Sequence, residues 1–120
     1  MKNILIIEDN QTIRENLEEL LELSNFQVTT ASDGQEGMEA IQKRKPNLII
    51  CDVAMPEVNG YQVLEFLKSK PETNKIPFIF ITSSAQNKEI KKGVLSRADC
   101  YLTKPFQTEE LLDTIDKLLS

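Results

Sequence analysis

Five short apolar runs alternate along this chain with five longer segments whose apolar residues recur at helical spacing. The runs are NILII (3–7), FQVTT (26–30), LIIC (48–51), FIFIT (78–82) and CYL (100–102). Strict alternation of this kind leaves few folds. Strands joined one after another through a helix pair in parallel by right-handed crossovers, with helices on both faces of the sheet. Three of the runs are continuously apolar or nearly so, as strands covered on both faces must be. The second alternates more and ends in threonines, which suits an edge. The expected fold is α/β, a doubly wound five-stranded parallel sheet with five helices.

The intervening stripes agree with that reading. Ile13, Leu17, Leu20 and Leu21 share one helix face; Met38 and Ile41, with Ala40, make a shorter stripe. Gly60, Val63, Leu64 and Leu67 form a third, and Leu111, Ile115 and Leu118 a fifth. The segment 86–95 is the weakest, with Ile90, Val94 and Leu95 among Lys88, Lys91 and Lys92, which read as a solvated face. Ser32-Asp33-Gly34 and Thr108 mark helix starts, and Pro46 ends the second helix by barring α geometry at Lys45. No repeat, low-complexity tract or linker interrupts the pattern, so residues 1–120 are expected to form one domain.

Composition excludes more than it proposes. With 14 Lys+Arg against 19 Asp+Glu, the net charge of −5 argues against direct nucleic-acid binding, which runs on clustered cations. The apolar runs are strand-sized, so no membrane span is expected, and Met1-Lys2-Asn3 is followed by too few apolar residues for a secretory signal. A cytoplasmic location is the default expectation. There is no histidine, which removes His-based triads and imidazole metal sites. Cys51 and Cys100 are too few for a thiolate site and read as small buried hydrophobes.

Chemistry therefore falls to carboxylates, hydroxyls and lysine, and these gather at the strand ends. Glu8 and Asp9 follow the first run, Asp52 the third, Thr82 with Ser83 and Ser84 closes the fourth, and Thr103-Lys104-Pro105 follows the fifth. Doubly wound sheets bind ligands outside the carboxyl ends of their strands, where strand order reverses. If the first and third strands are neighbours, Glu8, Asp9 and Asp52 crowd like charges, which raises pKa values or calls for a cation. Hard oxygens without His or nearby Cys suit Mg²⁺, which leaves room for a phosphate oxygen. Lys104 offers a compact positive charge and Thr82 a hydroxyl for phosphoryl oxygens. A carboxylate so placed, Asp52, is equipped to attack phosphorus and form an acyl phosphate. Nucleotide-cradling glycine signatures are absent. Dehalogenase-like phosphatases would want a second acid where Ala54 stands, and a flavin binder would want a Ser/Thr-rich loop where EDNQT stands.

With IIEDN, CDVAMPEVNG, FIFITSS and ADCYLTKPF in this order and spacing, the chain resembles, over essentially its whole length, the receiver domains of two-component response regulators. The resemblance implies a flavodoxin-like sheet ordered 2-1-3-4-5, like that of the chemotaxis regulator. It implies Asp52 as the phosphoacceptor, carrying a 4-aspartylphosphate. Asp9 would ligate Mg²⁺ directly and Glu8 through water, with the backbone carbonyl of Ala54 a further ligand. Thr82 and Lys104 would contact the phosphoryl group, a cis peptide would join Lys104 to Pro105, and Tyr101 matches the aromatic switch position. The donor would be a phosphohistidine on a histidine kinase or phosphotransfer protein, and a downstream effector protein or domain would read the result.

The expected function is thus a phosphorylation-controlled switch that catalyses only its own phosphoryl uptake and loss. Movement of Thr82 toward the phosphoryl group would let Tyr101 turn inward, altering the face formed by segment 86–95, the fifth strand and the last helix. Two rivals are a Mg²⁺-dependent phosphatase or mutase, which would need a cap the short connections leave no room for, and a pseudo-receiver that only binds proteins. The chain departs from the family at three places: Ala54 and Ser84, where other side chains gate attacking water, and Arg97, where glycine is usual. In the implied order Cys51 and Cys100 lie roughly 10 Å apart, too far for a disulfide.

Overall fold

The structure, a computed structural model, describes residues 1–53, 55, 58–83 and 98–120. Five strands, β1 (Asn3–Ile7), β2 (Gln27–Ala31), β3 (Leu48–Asp52), β4 (Phe78–Ser83) and β5 (Cys100–Lys104), form one parallel sheet in the order β2-β1-β3-β4-β5. The described residues include four of the five expected helices: α1 (Gln11–Leu23), α2 (Gly34–Lys43), α3 (Gly60–Lys68) and α4 (Thr108–Leu119). Segment 86–95, expected as a further helix, lies outside the described residues, as do Ala54, Ser84 and Arg97.

Alternation along each strand divides the core into two layers. Leu5, Ile7, Ile49, Cys51, Phe78 and Phe80 face α2 and α3, meeting Ile41, Val63, Leu64 and Leu67. Ile4, Ile6, Leu48, Ile50, Ile79, Ile81 and Leu102 face the other way, against Leu17 and Leu21 of α1 and Leu111 and Ile115 of α4. Every residue of β1 and β3 is buried, which explains why those runs are apolar without interruption. β2 alternates exposed and half-buried positions at the sheet edge.

Boundaries moved where hydrogen bonds outrank apolarity. Phe26, expected to open the second strand, instead donates its N–H to the Leu21 carbonyl at 3.0 Å, while Asn25 N–H donates to Glu22. With Asn25 at φ 71°, this is the left-handed exit that closes a helix. β2 therefore runs one residue later, and Ala31 pairs with Ile7. Asp33 caps α2 as expected, accepting from Glu36 N–H at 2.8 Å. Thr108 is the first residue of α4; the cap position belongs to Gln107, whose side chain makes no capping bond. The fourth and fifth strands extend to Ser83 and Lys104, so Lys104 is held in the sheet, paired with Ser83.

Candidate functional site

Side-chain alternation carries past the strand ends and decides what meets there. Ile4 and Ile6 face α1 and α4, and Glu8 continues their parity; Asp52 continues that of Leu48 and Ile50, and Lys104 that of Leu102. Three elements thus aim one side chain each at the same place. Lys104 Nζ donates to Glu8 Oε1 at 3.3 Å and stands 3.7 Å from Asp52 Oδ2. Carboxylate oxygens of Glu8, Asp9 and Asp52 lie within 4.8 Å of one another. Glu8 and Asp52 are buried and Asp9 is exposed, so the cluster has one open side.

The loop after β1 is tightly specified. Glu8 N–H donates to the Ala31 carbonyl at 3.1 Å, and the Glu8 carboxylate accepts from Asn10 N–H at 3.1 Å. Asn10 caps α1 through its side chain, accepting from Ile13 N–H at 3.0 Å. Arg14, one turn into the helix, donates from Nη1 to the Glu8 carbonyl at 2.9 Å. On the far side, Gly60 opens α3 directly over Asp52. Its N–H donates to the Val53 carbonyl at 2.9 Å, and a Cβ built on it would sit 2.6 Å from the Asp52 carbonyl oxygen. Only glycine lets the helix approach β3 this closely.

The cost of a charge at this position shows in the protonation of Glu8, whose pKa is raised from 4.5 to about 7. Burial is the largest cause and the charge of Asp52 adds to it, while the Asn10 N–H and Lys104 pull the other way. Burial also pushes the Cys51 thiol well up, with Asp52 and Glu8 contributing. A further mark of an incomplete site is Thr82: fully buried, its Oγ1 has no hydrogen-bond partner among the described residues. Buried hydroxyls are ordinarily bonded. The donor set therefore fits Mg²⁺: hard carboxylate oxygens from two strand ends, repelling one another without a cation, open on one side to solvent.

Thr82 lies on the opposite parity from Asp52, continuing Phe78 and Phe80 toward α3. Tyr101, 44% exposed, pairs with Phe80 across β4 and β5, so it stands two residues below Thr82 on the same face. The peptide between Lys104 and Pro105 is cis, as expected. Ala54, expected to lend a carbonyl to the metal, lies outside the described residues. Asn10 and Arg14 escaped the reading of the sequence. Asn10 was legible, since it stands three residues ahead of the first apolar position of a helical stripe; nothing in the local pattern singles out Arg14.

The sequence pattern of the response regulator receiver domain matches residues 4–116. The chain belongs to this family. Among receiver-containing relatives, Protein PilH of Pseudomonas aeruginosa is 36% identical over 120 residues, covering 100% of this chain and 99% of its own. The phosphate regulon transcriptional regulatory protein PhoB of Rhizobium meliloti is 33% identical over 99% of this chain, which spans only 52% of that regulator. The solved structure of response regulator protein TrrA from Thermotoga maritima, in complex with Mg(2+)-BeF, superposes with a TM-score of 0.88 at 29% identity, covering 99% of this chain and 100% of its own. Receiver domains are phosphorylation-controlled signalling switches, not generally classed as enzymes, and bind Mg²⁺ at their acidic pocket; here the acidic cluster is Glu8, Asp9 and Asp52. Phosphatase or mutase chemistry is not favoured. No helix among the described residues is long and apolar enough to cross a membrane.

Proposed function

We propose that residues 1–120 act as one receiver domain in which Asp52 is the phosphoacceptor, and that this switch catalyses only its own phosphoryl uptake and loss. The observation that carries the proposal is the meeting of buried Asp52 with Lys104 Nζ at 3.7 Å beside the carboxylates of Glu8 and Asp9. An Asp52 carboxylate oxygen attacks the phosphorus of a phosphohistidine on a partner kinase or phosphotransfer protein. The new O–P bond forms as the P–N bond breaks, and its electron pair stays on the imidazole nitrogen. Asp9 would hold Mg²⁺ directly and Glu8 through water; bound there, the ion neutralises phosphoryl oxygens and those of the crowded carboxylates. Lys104 would leave Glu8 for a phosphoryl oxygen.

Thr82 supplies the readout. Its unpartnered Oγ1 gains a hydrogen bond by turning to the phosphoryl group, and the space it leaves lies on the face that Tyr101 shares. An inward Tyr101 would reshape the surface around β5 and α4 for a downstream effector protein or domain, as a population shift between two forms. The proposed location remains the default one, the cytoplasm. The test is labelling with acetyl phosphate and Mg²⁺. One phosphoryl group should add as an acyl phosphate, stable in denaturant at mildly acidic pH and lost in hydroxylamine, and Asp52→Asn should abolish it while remaining folded. Undiminished label in Asp52→Asn would move the chemistry elsewhere.

A further inference from the structure

The Arg14 guanidinium is spent on the backbone carbonyl of Glu8, a residue whose own carboxylate belongs to the acidic cluster. Its Nη1 donates to the Glu8 oxygen at 2.9 Å, and that carbonyl belongs to the peptide joining Glu8 to Asp9. Holding this rigid, planar peptide holds the two Cα atoms that carry both side chains, because the plane spans one Cα to the next. The neighbouring N–H, of Glu8, is pinned to Ala31 at 3.1 Å. Glu36, whose carboxylate feels the Arg14 charge, is occupied by the Ser32 N–H at 3.0 Å and the Ser32 hydroxyl at 2.9 Å. That leaves the guanidinium for the loop after β1.

We infer that Arg14 is a positioning residue: its hydrogen bond to the Glu8 carbonyl holds the Glu8–Asp9 turn in the shape that accepts a divalent cation. The inference rests on the reading of Glu8 and Asp9 as the Mg²⁺ site. It has a sign that separates it from simple electrostatics. A cation next to the acids repels Mg²⁺, so deleting its charge alone should tighten binding. Loss of the positioning bond should weaken it. A charge-assisted hydrogen bond to a half-buried group is strong enough for positioning to win.

The experiment is a Mg²⁺ titration of the full chain, read by calorimetry and by thermal unfolding, for wild type, Arg14→Met and Arg14→Lys. Methionine keeps the unbranched stem and the helix propensity while removing donor and charge. Arg14→Met should bind Mg²⁺ about tenfold more weakly, and Arg14→Lys, with one donor still in reach, should recover part of the loss. The acetyl phosphate labelling rate of Arg14→Met should approach wild type at saturating Mg²⁺, because the acceptor and Lys104 are untouched. Affinity unchanged or tightened in Arg14→Met overturns the assignment, as does a labelling deficit that saturating Mg²⁺ leaves in place. A purely structural role would lower the unfolding temperature equally with and without Mg²⁺ and leave affinity alone. If wild type itself binds no Mg²⁺, the metal reading of Glu8 and Asp9 falls, and the role of Arg14 with it.

Discussion

Glu8 is the residue on which the site's energetics turn. Its folded-state pKa of about 7 stands above the ordinary 4.5, so the fold favours the protonated acid. The contribution to stability is then full below about pH 4.5 and is lost as pH rises through about 7. At about 1.4 kcal/mol per tenfold, that interval corresponds to a ceiling of about 3–4 kcal/mol. Without Mg²⁺, chemical denaturation should show stability falling between about pH 5 and pH 7.5, and Glu8→Gln, neutral at every pH, should flatten that slope. A wild-type profile as flat as the variant's would mean that Glu8 is not held protonated. At this scale the sequence was generous with identities and silent on roles. An acidic pair at the end of an apolar run announces a site, but which acid is buried follows from parity across three strands. Thr82 could be read as a hydroxyl near phosphate; that it lacks a partner among the described residues is a fact of packing alone.

Elements were legible wherever burial dictated pattern, and a boundary slipped where a hydrogen bond overrode apolarity. β1, β3 and β4 are covered on both faces and announced themselves as unbroken apolar runs. Phe26 misled because an aromatic beside a strand pattern looks like strand, yet its N–H is committed to closing α1. The reciprocal Asn59 and Gln62 bonds that start α3, at 3.0 and 2.9 Å, went unread, although an Asn three residues ahead of a Gln is a signal for them. Gly60, taken for one apolar-stripe position, is better understood as a clearance. A Cβ there would meet the Asp52 carbonyl at 2.6 Å, Phe80 Cε1 at 2.9 Å and Val53 Cα at 3.0 Å, and two of these are backbone that has nowhere to go. Gly60→Ala gains up to about 1 kcal/mol in helix propensity but forces overpacking that costs about 1–3 kcal/mol. The expected net is destabilisation by urea unfolding, together with several-fold weaker Mg²⁺ binding as the Asp52 backbone shifts. Equal or greater stability in the alanine variant would show that α3 does not rest on β3.

Over the whole molecule, strand order sets what the two cysteines report. Both are free thiols. Cys51 is buried among the side chains facing α2 and α3, and Cys100 packs half-buried against the opposite layer. With β4 between their strands, they share neither a face nor a neighbouring strand, so mild oxidation should leave both reduced. Their reactivities should differ in kind. A maleimide can reach Cys100 through local motion. Cys51, with its thiol pKa pushed well up by burial, should label only when the sheet and α3 separate, which is global unfolding. When reclosing outruns labelling, the Cys51 rate tracks the open population. A ligand that binds only the folded chain lowers that population by the factor 1 + [L]/Kd. Mg²⁺ at ten times its Kd should therefore slow Cys51 labelling about tenfold and leave the Cys100 rate unchanged, as mass spectrometry of the labelled chain would read directly. Asp9→Asn should remove the protection without altering the Cys51 rate measured in chelator by more than its own effect on stability. Should Mg²⁺ slow both thiols equally, or neither, then the acid cluster is not coupled to the fold as one cooperative unit. Cation binding, β3 and the helix resting on it would then need separate accounts.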